Sequence, residues 1–362
     1  MAHATERRGK YRHAGKRRAP KRARFYRGRA AMVFAVLAVL LLGACTSLAV
    51  YYNMQLGDVD RISALGDDAR RPDLAAGTEG ALNILLMGTD NGNSGTSIKQ
   101  ELADGHWTPG SYRSDTLMIL HITRDHDAAY LVSIPRDSYV PIPGHGHDKI
   151  NAAFSYGGPV LTQRTVEKLT NVRIDHLAMI DWSSFKDLTT ALGGVKVTIP
   201  ETFTDTHNNR TWEKGTYNLE GSKALQYVRT RYGLTNGDFD RIQRQQNFLR
   251  AMLHKMLSQG TVSNPIKLTN VLKVLTDNLT VDEDFSPGEM RDLALSLRGL
   301  HGNDVEYLTA PLGSYDTENG ESVVRLDKVE ANALFTAVRH DHIDHYLRKF
   351  GGDTLPEADK VN

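Results

Sequence analysis

The sequence predicts an α/β fold, a three-layer α-β-α sandwich around a mixed central sheet, preceded by one N-terminal transmembrane helix. Three observations carry this. Short apolar runs alternate with helical periodicities from about residue 81 to residue 339. An uncharged run of 23 residues, 30–52 (AAMVFAVLAVLLLGACTSLAVYY), follows a strongly basic tail. The sole cysteine, Cys45, lies inside that run, so the rest of the chain has neither disulfides nor thiolate chemistry.

The first 29 residues contain twelve Lys and Arg and a single acid, Glu6. A basic block abutting an apolar span of bilayer length stays on the cytoplasmic side, which puts the long C-terminal part outside the cell. The expected organisation is a cytoplasmic tail over 1–29, an anchor over 30–52, a stalk over 53–80, an extracytoplasmic domain over 81–345 and a flexible tail over 346–362. The segment 42–45 (LGAC) loosely resembles a lipoprotein cleavage box, but the apolar run continues past Cys45, which favours a retained anchor. Topology and anionic lipid headgroups already explain the basic tail, so no nucleic-acid partner is expected. Removing the tail's twelve bases and one acid from totals of 44 and 43 leaves 32 against 42, a net charge of −10.

The elements follow in order. Residues 81–87 (ALNILLM) predict a buried strand that delivers Asp90 to a loop, and 91–111, rich in Gly, Asn and Ser, an insertion over that edge. Strands are expected at 116–123, 129–135, 174–180, 195–200, 305–310 and 323–326. Helices are expected at 160–169, 182–192, 219–228, 241–256, 268–277, 287–300 and 328–339. On 241–256, Ile242, Leu249, Met252, Leu253 and Met256 form an apolar stripe. Arg241, Arg244, Gln245 and Phe248 fall at i, i+3, i+4 and i+7 on another face, which reads as one presenting hydrogen-bonding groups.

The stretch 227–246 (YVRTRYGLTNGDFDRIQRQQ) gathers Arg229, Arg231, Arg241 and Arg244 beside Asp238, Asp240 and Gln245. Guanidinium forks match phosphate oxygens bidentately, so this density in a domain of net negative charge points to a phosphate or pyrophosphate site. The competing reading is a solvated face on which Arg and Asp neutralise one another. Four further clusters fall at strand ends or helix starts: 88–90 (GTD), 113–116 (RSDT), 133–137 (SIPRD) and 148–153 (DKINAA). Asp90 and Asp115 each stand where a loop meets a strand, and two such carboxylates can hold one Mg²⁺ together with substrate phosphates. Each alone reads equally as a turn cap.

In order and content the pieces NILLMGTD, RSDTLMIL, VSIPRDSYV, DKINAAFSYGG and YVRTRYGLTNGDFDRIQRQQ resemble the LytR-CpsA-Psr family, cell-envelope glycopolymer ligases of Gram-positive bacteria. The resemblance implies a transferase that joins a polyprenyl-pyrophosphate-linked glycan to peptidoglycan through a phosphodiester, with the lipid in a long apolar pocket between sheet and helices. It implies Mg²⁺, with Mn²⁺ as a substitute, on Asp90 and Asp115. Arg113, Arg136, Lys149, Arg229, Arg231, Arg241 and Gln245 would grip the pyrophosphate. Asp238 would help activate the acceptor hydroxyl, with Arg229 and Arg241 beside the reacting phosphate. The chemistry agrees, because phosphoryl transfer asks the protein mainly for positioning and charge stabilisation.

Two features depart from the family pattern: the long 91–111 insertion, which threatens to carry Asp90 away from Asp115, and Asp240, to which no role is assigned. Three other functions compete. The same site could use water as acceptor, as a lipid-pyrophosphate phosphatase. His145, His147, His340, His342 and His345 could suggest a zinc hydrolase, although their spacing matches no zinc motif. A membrane-anchored glycan binder is the non-enzymatic reading, and it has no need of paired carboxylates among arginines. Trp107, Trp182 and Trp212 are too scattered for a carbohydrate platform and read as core or rim residues.

Overall fold

The computed structural model describes residues 57, 59–63, 71–90, 101, 107–206, 209–230, 238–256, 265–297, 300 and 304–361. These all belong to one compact unit, Tyr52–Asn362. The basic tail, the anchor with Cys45, and most of the 91–111 insertion lie outside the described residues. Among the described residues no helix is long and apolar enough to cross a membrane.

Among the described residues eight strands make the central sheet. They are β1 (Asp60–Ile62), β2 (Leu82–Asp90), β3 (Arg113–Ile122), β4 (Ala129–Ile134), β7 (His176–Asp181), β12 (Thr280–Asp282), β13 (Val305–Thr309) and β16 (Asp353–Thr354), in the order β1-β12-β7-β2-β3-β4-β13-β16. The sheet is mixed: β2 runs parallel to β7 and β4 to β13, while β3 is antiparallel to both β2 and β4. Alternate residues of the central strands enter different cores. Leu85, Met87, Leu117, Ile119 and Val132 face one side, with α1 (Ile150–Thr170) and α7 (Lys328–Arg339). Ile84, Leu86, Met118 and Leu131 face the other, toward α4 (Asp238–Met256) and α6 (Pro287–Ser296). This period of two is why the apolar runs read as buried strands.

A further core is built by α2 (Trp182–Ala191), α3 (Gly221–Arg229) and the hairpin of β8 (Val195–Ile199) with β11 (Gly215–Leu219). Between its strands lies the short pair β9 (Phe203–Asp205) and β10 (Arg210–Trp212). Helix α4 is wedged between this core and the sheet: Phe248 and Met252 pack into the former, Leu253 into the latter, and Leu249 into both. A helix enclosed on several sides must bury polar residues, and some of them find partners in the sheet. Gln246 donates to Ser133 Oγ and to the Leu308 carbonyl, both at 2.8 Å. The remaining elements are the hairpins β5 (Tyr139–Ile142) with β6 (Gly146–Lys149) and β14 (Leu312–Glu318) with β15 (Glu321–Leu326), and the helices α5 (Pro265–Asn278) and α8 (Ile343–Phe350).

Three expectations are corrected here. The helix expected at 160–169 begins at Ile150 and is broken by Gly157, Gly158 (φ 63°) and Pro159. A Cβ at Gly158 would approach the Trp107 ring to 3.2 Å, so the left-handed backbone and the close indole both require glycine. The segment expected as a stalk is partly built into the domain. Strand β1 joins the sheet edge, and Arg71 reaches Glu167 Oε1 through Nη2 at 2.9 Å and Nε at 3.1 Å. The tail expected to be flexible is docked: β16 pairs with β13, Tyr346 and Val361 are buried, and Asn247 and Arg250 donate to the carbonyls of Ala358 and Pro356. Both segments are too polar to show the periodicity by which sheet-edge strands and docked coils would be recognised.

The Arg71–Glu167 pair carries a prediction. Glu167 is buried and the Arg71 side chain nearly so, and Glu167 also accepts the Ile174 amide at 2.9 Å. Glu167→Ala removes the carboxylate from a largely buried guanidinium that still donates to the Ile174 carbonyl, and is expected to destabilise the domain by about 3 kcal/mol. Urea denaturation followed by circular dichroism measures this, and a shift below about 1 kcal/mol would mean the pair is dispensable.

Candidate functional site

The site forms at the end of the sheet where β2 and β7 finish and β3 begins. Asp90, the last residue of β2, is the register partner of Arg113, the first of β3. The insertion therefore leaves the strand ends together, which answers the concern that it displaces Asp90. One step inward, Thr89 pairs with Ser114 and Gly88 with Thr116, so Asp115 is an extra residue, a β-bulge. A bulge breaks the alternation of side chains and re-aims the one it carries. Here the Asp115 carboxylate accepts from Arg136 Nη1 at 2.5 Å. Arg136 reaches it because β4 ends beside the bulge, with Ile134 opposite Leu117.

Asp90 is held in the same way. Arg229, the last residue of α3, places Nη2 3.4 Å from Asp90 Oδ2. Its guanidinium carbon also lies 5.3 Å from the centroid of the Trp182 ring. Trp182 is the first residue of α2, whose N-cap Asp181 accepts the Ser184 amide at 2.7 Å and stands in register with Thr89. The sequence reading assigned Trp182 no function. The available signal was its position directly after a strand that ends, like β2, in an aspartate.

The other expected site residues are distributed unevenly. Gln245 lies between β3 and α3, its Oε1 accepting from Thr116 Oγ1 at 3.3 Å and its Nε2 donating to the Val228 carbonyl at 3.4 Å. Arg113 is exposed, and Arg241 is buried near the start of α4. Lys149 precedes α1, whose Asn151 amide donates to the Arg136 carbonyl at 3.1 Å, but its ammonium is bound by Glu321 of β15 at 2.6 Å. Arg231 and the side chain of Asp238 lie outside the described residues. The expectation that Arg241, Arg244, Gln245 and Phe248 present one polar face is overturned. Arg244 is 0% and Phe248 1% exposed, because the second core covers that side of α4.

Of the histidines weighed as zinc ligands, His145 stacks on Tyr156 at 4.7 Å and His147 lies against Tyr139 at 5.8 Å, both in the β5–β6 hairpin. Among the described residues no group of three or more His, Cys, Asp or Glu side chains converges on a metal position. What the sheet end offers a cation is the pair Asp90 and Asp115. That donor set suits Mg²⁺, which commonly takes one or two carboxylates and completes its shell with water and substrate phosphate oxygens. Two guanidinium–carboxylate pairs on adjacent strand ends thus form a surface on which each partner can be exchanged: the carboxylates for a cation, the arginines for an anion.

Residues 49–340 match the model of the LytR_cpsA_psr family. The chain is 37% identical over 274 residues to the probable cell wall biosynthesis protein LcpB of Corynebacterium glutamicum, an alignment covering 75% of this chain and 64% of that protein. The chain thus spans slightly less than two thirds of the length of this relative. It is 30% identical over 301 residues to the polyisoprenyl-teichoic acid–peptidoglycan teichoic acid transferase TagU of Enterococcus faecalis, covering 83% of this chain and 92% of that one. The crystal structure of Bacillus subtilis TagV superposes with a TM-score of 0.59 at 25% identity, over 73% of this chain and 97% of that one. A family match over most of the chain, a relative covered almost end to end and the shared mixed sheet agree: this chain belongs to the LytR_cpsA_psr family.

Proposed function

We propose that the protein is a phosphotransferase that moves a glycopolymer from a polyprenyl-pyrophosphate carrier onto peptidoglycan through a phosphodiester link. The observation that carries the reading is the double pair Asp115–Arg136 and Asp90–Arg229 at one end of the sheet. A pyrophosphate entering there meets Arg113, Arg136 and Arg229, with Arg231 from the adjoining segment and Arg241 and Lys149 adding positive charge. Gln245 orients the Val228–Arg229 backbone. Asp90 and Asp115 would hold Mg²⁺, or Mn²⁺ in its place, which would supply charge neutralisation for the pyrophosphate oxygens. The name of the TagU relative, a transferase from a polyisoprenyl carrier to peptidoglycan, supports the same donor and acceptor.

The chemistry balances without a protein nucleophile. The acceptor hydroxyl oxygen forms a bond to the glycan-bearing phosphorus while the bond from that phosphorus to the bridging oxygen breaks. Polyprenyl phosphate departs, and the hydroxyl proton passes to a base for which Asp238 is the candidate. Arginines that strengthen their hold as charge shifts to the leaving phosphate lower the barrier. Between α4 and the sheet, Leu86, Leu120, Leu249 and Leu253 are apolar yet only partly buried, and they supply a surface for the lipid chain. Residues 30–52 would hold the protein in the cell membrane, with 1–29 inside and the sheet domain outside, where a bilayer-bound donor and the wall meet.

The test incubates full-length protein in detergent with a polyprenyl-pyrophosphate-linked glycan and peptidoglycan fragments, and analyses the products by mass spectrometry. The expected product is glycan joined to peptidoglycan through a phosphodiester. Release of glycan phosphate to water alone would make the protein a phosphatase, and binding without turnover would make it a glycan or lipid binder.

A further inference from the structure

Arg244 is a buried charge that the proposed chemistry leaves without a task. Its guanidinium lies between Phe203 and Tyr227, with Cζ 4.5 Å and 5.2 Å from the two ring centroids. Nη1 donates to the Thr230 carbonyl at 2.9 Å, while Nε and Nη2 have no hydrogen-bond partner among the described residues. Burial lowers its proton affinity below the ordinary value and raises that of the Tyr227 hydroxyl. A cation housed in this way costs stability, and replacing buried charges with apolar groups of similar size is often neutral or stabilising. Local rules broken without structural benefit tend to mark functional sites.

The hydrogen bond to Thr230 says what that function is. Thr230 is the C-cap of α3 and the residue between Arg229 and Arg231. On the other side of Arg229, the Val228 carbonyl accepts from Gln245, so consecutive residues of α4 hold the carbonyls on both sides of Arg229. Thr230 is tied a second time, its Oγ1 donating to the buried Asp205 at 3.1 Å. Its φ of −62° and ψ of 129° turn the chain out of the helix at this point. That turn fixes the end of the helix from which Arg229 projects.

We propose that Arg244 is a positioning residue that locks the end of α3, so that Arg229 faces the pyrophosphate. Resting on the pyrophosphate reading above, it assigns a task within that site to a side chain that touches no substrate. Arginine is the side chain for this position because its donor reaches a backbone carbonyl while its planar group stacks between two rings.

Arg244→Met keeps the length and loses the donor. In full-length protein in detergent, titration calorimetry with farnesyl pyrophosphate is expected to show affinity lowered about tenfold or more, the scale on which misplaced groups act. The Tm is expected to stay level or rise, a separation that a purely structural role does not produce. Amide exchange at Thr230, whose N–H donates to the Gln226 carbonyl at 3.1 Å, is expected to quicken while the interior of α4 stays protected.

Wild-type affinity in Arg244→Met overturns the proposal, as does a fall in Tm with unaltered binding by the folded fraction. Should that variant fail to fold, Phe203→Leu removes one stacking ring and keeps the charge. It is expected to weaken farnesyl pyrophosphate binding, and unchanged binding there also overturns the role. The exchange measurement needs no ligand, so the two readings fail separately. Unchanged exchange in the variant of a wild type that binds sinks the positioning role alone. A wild type that binds no farnesyl pyrophosphate removes the pyrophosphate reading, and with it the task given to Arg244.

Discussion

Arg229→Ala is expected to lower kcat/KM for glycan transfer about 10³-fold or more, equivalent to about 4 kcal/mol of barrier, while leaving the fold intact. Arg229 is 46% exposed and its pairing with Asp90 is long, so its share in stability is that of a surface ion pair, about 0–1 kcal/mol. Its worth lies in what it meets when substrate arrives. A guanidinium held at the carboxyl end of the sheet by Trp182 and Asp90 is preorganised for an anion and needs no large reorganisation. Arg229→Lys keeps the charge but loses the fork, and most of the loss is expected to remain. Steady-state kinetics with peptidoglycan fragments as acceptor, with thermal melts of the same preparations, measure both quantities. A variant with native melting and near wild-type kcat/KM would show that pyrophosphate lies elsewhere.

The double variant Asp90→Asn/Asp115→Asn is expected to lose stimulation by divalent cations and to fall about 10²-fold or more at saturating Mg²⁺. Asn retains the shape and an acceptor oxygen but lacks the charge that a hard cation demands. The two positions should differ as single variants. Asp115 is mostly buried beside Arg136, so Asp115→Asn also removes the nearer of that guanidinium's two carboxylates, Asp137 lying at 3.6 Å, and should reduce stability. Asp90 is more exposed, and its loss should affect metal dependence with little effect on melting. Activity measured against Mg²⁺ after chelation decides the matter. If the double variant follows the same Mg²⁺ curve as wild type, the two carboxylates serve only to orient Arg136 and Arg229.

Much of this was legible in the sequence. The apolar runs around residues 84, 118 and 132 enter opposite cores with a period of two, and local pattern reports that directly. The helices opening at Trp182 and Lys328 were legible too, and each proves to be capped by the preceding aspartate. Elements whose existence depends on distant partners were illegible: β1 needs β12, β16 needs β13, and neither two- or three-residue strand carries a periodic signal. The same limit applied to α4. The face of Arg241, Arg244, Gln245 and Phe248 was read as presenting hydrogen-bonding groups, whereas Arg244 and Phe248 are buried and Arg244 holds Thr230.

By itself the sequence determined the α/β class, the clustering of arginines and aspartates at strand ends, and the family resemblance. These are properties of residue type and spacing along the chain, and alternation and motif content survive without any tertiary contact. Only the tertiary structure decided which charges share the site and which lie beneath it. It placed Asp90 opposite Arg113 across the ends of a 22-residue gap, turned Asp115 toward Arg136 through a bulge, drew Lys149 to Glu321 and enclosed Arg244 between two rings. Side-chain direction depends on strand register and on what packs above a helix, and both are settled by partners far away in sequence.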